Sequence, residues 1–379
     1  GPRAPKVGSA AARAEATGQG ARYWHDKMRL SAASQAVFDG AQCGDTRRVL
    51  AALNAHGDPN CVNFAGYTAL MLAVGGGYRE VVALLLQASG DPNYALEGVS
   101  PLMIASGGGQ LEVARMLVNC GANGASCDTA EGRTALHRAS VRGHADVARL
   151  LLQAGGSVDW SDFAGRTPLM LAAESGHTDT VRTLLCAGAS HALSDKAGDS
   201  ALTACVAAGH AACLEAMLKA GASVNSASKA TGDTGLVAAG RACDDGICRL
   251  LLQFQANVNL ANNRRETPLM HAARGGAVKV VHALLLAGAD TTLQDICGYT
   301  ALMHAAAGGS PAACSTCMDF GASPLSASPV DSHTPLTVAA SHGHTEVYKV
   351  LINGGAKVSA MEEDARASEQ ASLTPAAAA

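Results

Sequence analysis

Apolar residues along the chain form short stripes separated by polar punctuation. In the stretch GRTPLMLAAESGHTDTVRTLLCAGAS (165–190), a short run of apolar and small residues is followed by Val181, Leu184 and Leu185 at i, i+3 and i+4. This second spacing predicts an amphipathic helix with one apolar side. Thr167 stands where a helix N-cap is expected, and Pro168 suits the first helical position. The stretch therefore predicts two short helices in succession.

Glycines are predicted to end both helices. Gly176 follows the first helix, and Gly188 lies where a left-handed residue belongs after the second. The next segment, ASHALSDKAGDS, carries Asp, Gly and Ser punctuation and predicts a turn or hairpin. Neither helix buries its stripe inside one unit, so the pattern predicts that units stack on one another.

The same pattern recurs through most of the chain. The Thr or Ser of Gly-x-Thr-x-Leu marks each unit, and successive markers are 32 to 34 residues apart. One further unit begins near Ser34 without a marker, which makes ten units. Such regularity predicts a repeat array. The markers stand at Thr68, Ser100, Thr134, Thr167, Ser200, Thr234, Thr267, Thr300 and Thr334.

The units closely resemble the ankyrin repeat, whose signature includes Thr-Pro-Leu-His and a period of 33 residues. The resemblance is carried by GRTALHRASVRGHADVARLLLQAGGSVD (132–159), GRTPLMLAAESGH (165–177), ETPLMHAARGG (266–276) and GYTALMHAAAGG (298–309). It covers about residues 34–357. It implies an all-α solenoid of stacked helix-turn-helix units with short β-hairpin tips, which we expect to be curved and monomeric.

The resemblance also implies where a partner binds. In similar proteins, partners contact the hairpin tips and the concave face of the first helices, so the corresponding positions are the candidate site. We expect a protein or an extended peptide as partner, with Phe163, Arg166, Arg264, Arg265 and Tyr299 in a central patch. Val141 and His342 occupy neighbouring positions. The candidate residues are Phe64, Tyr67, Arg133, Arg142, Phe163, Arg166, Glu174, Lys196, Arg264, Arg265, Arg274, Ile296, Tyr299 and His333.

One unit departs from the pattern at several positions. It reads GDTGLVAAGRACDDGICRLLLQFQANVN, with Gly235 for Pro, Gly240 in the second Ala position, and Cys243 and Gln255 in place of the glycines that end the helices. Interior Gly costs roughly 1 kcal/mol relative to Ala, and non-Gly residues in the left-handed region cost about the same or more. We therefore predict that residues 232–256 open first in hydrogen exchange.

Two hairpins depart as well. Arg265 and Ser332 replace the hairpin Gly of other units, which puts the geometry of these two turns in doubt.

Composition and charge narrow the functional class. The 379 residues contain 3% aromatics, which favours thin layers of small side chains over one deep core. The net charge is -4 and no Lys or Arg run is present, so nucleic acid is not expected as a partner.

No apolar stretch is long enough for a membrane span, and twelve cysteines without extracellular hallmarks suggest reduced thiols. We expect a cytoplasmic protein, with nuclear location and organelle import as alternatives.

The terminal segments are expected to be disordered. Residues 1–30 form a leader rich in Ala and Arg; it has weak similarity to an organelle transit peptide, but a disordered tail is favoured. Residues 31–357 form the predicted repeat domain, and residues 358–379 form a short polar C-terminal tail. A partner-binding motif in that tail is the less favoured alternative.

Three features of the sequence are typical of chemical sites, but a structural role is favoured for each of them. Cys314 and Cys317 have Cys-x-x-Cys spacing but stand at core positions of the second helix. Histidines recur after Gly once per unit, which favours a structural hydrogen bond over catalysis. The runs 75–77 and 107–109 lack phosphate-loop spacing and are expected to leave the inner surface bare of side chains. We expect no metal, cofactor or catalytic residue.

Three classes of function stay open. The favoured one is a non-enzymatic interaction scaffold, and the second is a targeting or regulatory subunit of a kinase, phosphatase or ubiquitin ligase complex. An enzyme is least favoured because almost no sequence lies outside the repeats to hold a catalytic domain.

Overall fold

The computed structural model of the chain describes residues 31–355. The predicted leader at 1–30 and the predicted tail at 358–379 lie outside these residues. Within them the chain forms twenty helices in ten pairs, one pair for each predicted repeat, and we number the repeats 1 to 10 along the chain. The predicted all-α repeat fold is confirmed.

The helices fall into two compact units, which divide the chain between Phe163 and Ala164. Unit 1 contains repeats 1 to 4: α1 Ala32–Cys43, α2 Thr46–Asn54, α3 Ala69–Gly76, α4 Arg79–Gln87, α5 Pro101–Gly107, α6 Leu111–Asn119, α7 Ala135–Arg142 and α8 Ala145–Gln153. Unit 2 contains repeats 5 to 10: α9 Pro168–Glu174, α10 Thr178–Cys186, α11 Ala201–Ala207, α12 Ala211–Lys219, α13 Gly235–Ala242, α14 Asp245–Gln253, α15 Pro268–Arg274, α16 Val278–Leu286, α17 Ala301–Ala307, α18 Pro311–Asp319, α19 Pro335–Ser341 and α20 Thr345–Asn353.

The marker residue begins the first helix of its repeat, as predicted. Thr167 Oγ1 accepts a hydrogen bond from the Met170 N–H at 3.3 Å, which satisfies one of the free donors at the start of α9. Pro168 is the first residue of α9, where its missing N–H costs nothing. The same side-chain cap recurs at Thr68, Ser100, Ser200, Thr234, Thr267, Thr300 and Thr334.

The left-handed turns keep their conformation at the positions where another residue replaces glycine. Gly176 and Gly188 have φ of 77° and 83°, and the corresponding Cys243 and Gln255 of repeat 7 adopt 56° and 60°. Arg265 and Ser332 both adopt 59°, so the two hairpins whose geometry was in doubt keep the shape of their neighbours. The stacked neighbours therefore impose the turn against a local cost of about 1–2 kcal/mol per residue.

The core is a row of thin layers between successive repeats. Within each unit, first helices pack on first helices and second helices on second helices. Small residues such as Ala172 and Ala173 are fully buried where first helices approach, and Leu184 fills the layer beneath them. The low aromatic content fits this arrangement, because the layers have no room for large rings.

Backbone hydrogen bonds fasten neighbouring hairpin tips to one another. The Phe163 N–H donates to the Glu131 carbonyl at 2.8 Å in unit 1, and the Lys196 N–H donates to the Ala164 carbonyl at 2.9 Å in unit 2. The tips therefore hold their side chains in a fixed order. Bonds of the same kind run from Thr129 to Glu97, Lys229 to Gly198, Asn263 to Thr231 and Ile296 to Arg264.

Candidate partner-binding surface

The predicted site residues lie at the hairpin tips and around the C-terminal ends of the first helices, and we call this the tip surface. The residues of the predicted central patch fall in both units: Phe163 belongs to unit 1 and the other members to unit 2. Unit 1 carries Phe64, Tyr67, Arg133, Arg142 and Phe163, whereas unit 2 carries Arg166, Glu174, Lys196, Arg264, Arg265, Arg274, Ile296, Tyr299 and His333.

The first tip of unit 1 presents two aromatic rings. Phe64 is 84% exposed, and Tyr67 is exposed beside it on the same turn. The turn is rigid because Asn63 Oδ1 accepts hydrogen bonds from the N–H groups of Ala65 at 3.0 Å and Tyr67 at 2.9 Å. A Phe that exposed has no packing role in this unit, and aromatic anchors of this kind are common in interfaces.

The last tip of unit 1 is partly occupied by its own contacts. Arg133 pairs with Glu131 at 2.8 Å and with Asp162 at 3.4 Å, and its side chain is mostly buried. Phe163 lies over Gly132, where an added Cβ would come within 2.6 Å of the ring, yet the residue stays 56% exposed. Arg142 is exposed at the end of α7. Phe163 and Arg142 therefore present free surface, while Arg133 supports the tip from beneath.

In repeat 5, one ion pair links the hairpin tip to the first helix. Arg166 stands just before the marker, Glu174 is the seventh residue after it, and Arg166 Nη1 lies 3.8 Å from Glu174 Oε2. We call these two positions of any repeat the tip-to-helix pair. Lys196, on the next tip, is exposed. The predicted residues Arg166 and Glu174 are thus brought together by the fold.

The tip-to-helix pair changes from repeat to repeat, which the sequence analysis missed. Repeat 7 carries it with the charges exchanged, as a bridge between Asp233 and Arg241. Repeat 6 has Asp199 before the marker but Ala207 at the seventh position after it, so the cation is missing. Comparing these two positions across the repeats would have found the difference from sequence alone.

A cavity of about 390 Å³ lies where repeat 6 lacks that cation. Its lining includes three alanines at the C-terminal end of α11 and just after it, together with three carboxylates and one guanidinium. Asp195 Oδ1 is engaged by the Asp199 N–H at 2.9 Å, whereas the Asp199 carboxylate has no hydrogen-bond or ion-pair partner among residues 31–355. The lining residues are Arg166, Met170, Glu174, Asp195, Asp199, Ser200, Ala204, Ala207 and Ala208.

Repeat 8 presents a cluster of arginines. Arg264 and Arg265 lie on the tip and Arg274 ends α15, and all three are exposed with no ion pair in the part of the chain that the structure describes. The expected partner of Arg274 is Glu266, but that carboxylate accepts a hydrogen bond from Asn262 Nδ2 at 3.0 Å and lies 3.3 Å from His271 Nε2.

Burial and hydrogen bonding set the charge states around repeats 7 and 8. Burial acts to raise the pKa of the Asp233 carboxyl, but hydrogen bonds from Asn262 and Arg241 outweigh it, and the pKa lies below its usual range. Burial lowers the pKa of His271, so this imidazole is neutral near pH 7 and does not cancel the charge of Glu266.

The last tips of unit 2 form a hydrogen-bonded cluster. Tyr299 Oη lies 2.8 Å from His333 Nδ1 and 3.2 Å from Asp331 Oδ2, and His333 Nδ1 lies 2.6 Å from the same carboxylate. Partial burial and the Asp331 carboxylate raise the pKa of Tyr299. Ile296, on the previous tip, is 58% exposed. The predicted residues Tyr299 and His333 therefore contact each other, and Ile296 remains free for a partner.

The recurring histidines are inter-repeat hydrogen bonds, as predicted. His144 Nε2 donates to the Gly107 carbonyl at 3.2 Å, and His210 Nε2 donates to the Glu174 carbonyl at 3.1 Å. His344 makes the same bond to Ala307 at 3.2 Å. Each ring packs against a left-handed glycine of the previous repeat. These histidines are structural.

The Cys-x-x-Cys pair belongs to the core, as predicted. Cys314 and Cys317 lie on α18 and are fully buried, and burial raises the pKa of both thiols to about 12. Thiols with such values stay protonated near neutral pH. The described residues contain no group of three or more His, Cys, Asp or Glu side chains placed to hold a metal ion. No helix in the described part is long and apolar enough to cross a membrane.

Comparison with known proteins agrees with this geometry. A family model described as ankyrin repeats, in three copies, matches residues 35–126, 121–195, 163–228, 202–295 and 269–362. A similar solved structure is the crystal structure of the ankyrin repeat domain of Bcl-3, described as a unique member of the IkappaB protein family. It is 28% identical with a TM-score of 0.54, and the match covers 58% of this chain and 99% of that chain. Comparison with curated proteins gives no match.

Proposed function

Because the chain belongs to the ankyrin repeat family, whose members are general protein-protein interaction modules, we propose that it binds a protein or an extended peptide along the tip surface. Proteins of this family are typically non-enzymatic interaction scaffolds. The proposal concerns which surface binds and what occupies it.

The proposal that the tip surface binds a partner is supported by one observation: the ordered tips expose residues that could anchor a partner. Phe64 and Ile296 are large apolar side chains held in the open, and Arg264 and Arg274 are cations without a partner among the described residues. Tyr, Trp and Arg are enriched among the residues that dominate binding energy, and buried apolar side chains add to them. Because backbone hydrogen bonds already fix the tips, a partner orders few groups on this chain when it binds.

The test compares two sets of substitutions in affinity capture from a native lysate, with mass spectrometry of the bound chains. The tip variant should remove anchors without breaking internal bonds, so it omits Arg133 and Tyr299, which have partners within their own units. The control removes exposed cations from second helices. The tip variant is Phe64→Ala, Arg264→Ala, Arg274→Ala and Ile296→Ala; the control is Arg149→Ala, Arg182→Ala, Lys219→Ala and Arg249→Ala.

Partners captured by the wild type and by the control, but lost by the tip variant, support the proposal. Circular dichroism must show equal helix content in all three chains. Partners retained equally by the tip variant would place the binding surface elsewhere and contradict it. The identity of the captured chains also separates a scaffold from a subunit of an enzyme complex, because an enzyme would then be among them.

A further inference from the structure

The tip-to-helix pair is complete in two repeats of unit 2 and half made in two others. Repeat 5 pairs Arg166 with Glu174, and repeat 7 pairs Asp233 with Arg241. In repeat 6, Asp199 stands before the marker but no cation stands at the seventh position after it. In repeat 8, Arg274 at the seventh position forms no ion pair with Glu266 before the marker. The two half-made pairs have opposite sign: repeat 6 lacks a cation and repeat 8 lacks an available anion.

A cavity lies where repeat 6 lacks the cation of the tip-to-helix pair. In repeat 7, Arg241 reaches from the end of α13 to the carboxylate of Asp233 on the tip. In repeat 6, Ala207 stands where that arginine would begin, and the cavity of about 390 Å³ opens above it with Asp199 on its rim. The neighbouring repeat therefore shows which side chain the cavity suits: a guanidinium or ammonium on an aliphatic stem, which the alanines that line the cavity would contact.

The missing anion of repeat 8 has a different cause. Glu266 is present before the marker, but its carboxylate accepts a hydrogen bond from Asn262 Nδ2 and forms no ion pair with Arg274 among the described residues. Arg274 is left exposed, and the adjacent tip adds two further unpaired cations, Arg264 and Arg265. Two carboxylates of neighbouring tips are already paired, Asp233 with Arg241 and Asp295 with His304, and none of the three arginines has an ion pair among the described residues.

We propose that the partner is an extended peptide segment that completes both pairs, with an Arg or Lys side chain in the cavity at Asp199 and Asp or Glu side chains on Arg274 and the adjacent arginines. This inference rests on the proposed function and specifies its ligand. Charge-assisted hydrogen bonds of this kind fix the register of a bound segment as well as its affinity.

The spacing of the repeats fixes the spacing of the charges in the segment. Neighbouring first helices pack about 8–10 Å apart, so the two repeats from α11 to α15 span roughly 16–20 Å. An extended chain advances about 3.3 Å per residue. The basic and acidic residues of the partner should therefore stand about five or six positions apart.

The first experiment is selection from a displayed library of random peptides of about twelve residues, which reach roughly 40 Å when extended and so cover both positions. The wild type should enrich peptides with Arg or Lys about five or six positions from Asp or Glu. Asp199→Asn should erase only the basic preference, and Arg274→Ala with Arg264→Ala only the acidic one. Ala207→Arg should also erase the basic preference, because it copies repeat 7 and fills the cavity with the chain's own arginine.

The matched control for that last variant is Ala307→Arg. Ala307 holds the same position in repeat 9, where Tyr299 rather than an acid precedes the marker, so the added arginine blocks no charged cavity. It should leave both preferences intact. For one enriched peptide, fluorescence anisotropy should then show about tenfold weaker binding to Asp199→Asn and to Ala207→Arg, and unchanged binding to Ala307→Arg.

Four outcomes would overturn the proposal. Enriched peptides without a charge preference, or the same peptides from wild type and Asp199→Asn, would refute the charged ligand and leave a protein-binding tip surface intact. Failure of the wild type to enrich peptides beyond the tip variant described above would refute both. Self-association of the chain alone that Asp199→Asn abolishes would make the occupant a second copy. Circular dichroism of each variant must match the wild type.

Discussion

Repeats 5 and 7 of unit 2 have the same fold built from different residues. Repeat 5 ends both helices with glycines, whereas repeat 7 holds Cys243 and Gln255 in the same left-handed conformation. Repeat 5 buries Ala173 where repeat 7 has Gly240, and an added Cβ at Gly240 would lie 2.6 Å from the Pro268 carbonyl oxygen. The comparison teaches that local preference and neighbour packing are separate constraints, and that packing prevails where they disagree.

Repeat 7 also differs from the repeat before it in how it contacts its neighbour. His210 ties repeat 6 to the Glu174 carbonyl of repeat 5, whereas repeat 7 has Asp244 at that position. Asp244 Oδ1 instead accepts a hydrogen bond from the Ile247 N–H at 3.0 Å, which caps its own helix. Repeat 7 thus exchanges an inter-repeat bond for a local one. Its stability should depend more on side-chain packing than that of repeat 5.

The largest expected effect comes from exchanging the small residues at the second Ala position. Gly240→Ala places a methyl group against a backbone carbonyl and should destabilise by up to about 2 kcal/mol, since overpacking costs about 1–3 kcal/mol and Ala recovers about 1 kcal/mol of helix propensity. Ala173→Gly should also cost about 1–2 kcal/mol, from propensity and one buried methyl. Urea unfolding measures both. If Gly240→Ala stabilises the chain, repeats 7 and 8 are not closely packed there.

The next effect is the local stability of repeat 7. Two strained left-handed residues and the interior glycine Gly240 should make residues 232–256 open more readily than residues 165–189. We expect amide exchange about tenfold faster in repeat 7, equivalent to about 1.4 kcal/mol, by hydrogen exchange with mass spectrometry. Equal protection of the two segments would show that the close approach at Gly240 compensates for the strain.

Much of this fold follows from the sequence, and the reasons are local. Thr167 as cap, Pro168 at the helix start and Gly188 in the left-handed turn each follow from one residue type and one conformation. Because the pattern recurs with a regular period, the structure predicted for one repeat applies to all ten. Fold class, helix order and the buried state of Cys314 and Cys317 needed nothing more.

The candidate site was harder to predict from the sequence than the fold, because it depends on pairs of residues rather than on single residues. Arg133 was predicted as a partner-binding residue of the tip, yet the fold places it against Asp162 and buries most of it. Asp199 was not among the predicted residues, because its significance lies in the absence of a cation at Ala207.

Removing the strain from repeat 7 should stabilise it. Cys243→Gly should raise the free energy of unfolding by about 1 kcal/mol, because Gly adopts the left-handed conformation without the cost that an L side chain incurs. The matched change in repeat 5, Gly176→Ala, should destabilise: it adds the same strain and brings a Cβ within 2.7 Å of the His210 ring. Thermal unfolding compares them. Destabilisation by Cys243→Gly would mean that the cysteine side chain contributes packing that outweighs its backbone strain.

The smallest expected effect is the acid dependence of the Asp233 and Arg241 bridge. The pKa of Asp233 is lower in the folded chain than in the unfolded chain, because hydrogen bonds from Asn262 and Arg241 outweigh its burial. Its contribution is therefore fully present above the unfolded pKa of about 3.9 and is lost as pH falls through the folded pKa. Asp233→Asn should cost about 0.2–1 kcal/mol near pH 6, and the difference should shrink as the pH falls below about 3.9 and through the lower folded pKa. Urea unfolding across this range measures it, with Asp179→Asn as the control for net charge. A difference that stays constant with pH would show that the carboxylate contributes shape and hydrogen bonding rather than charge.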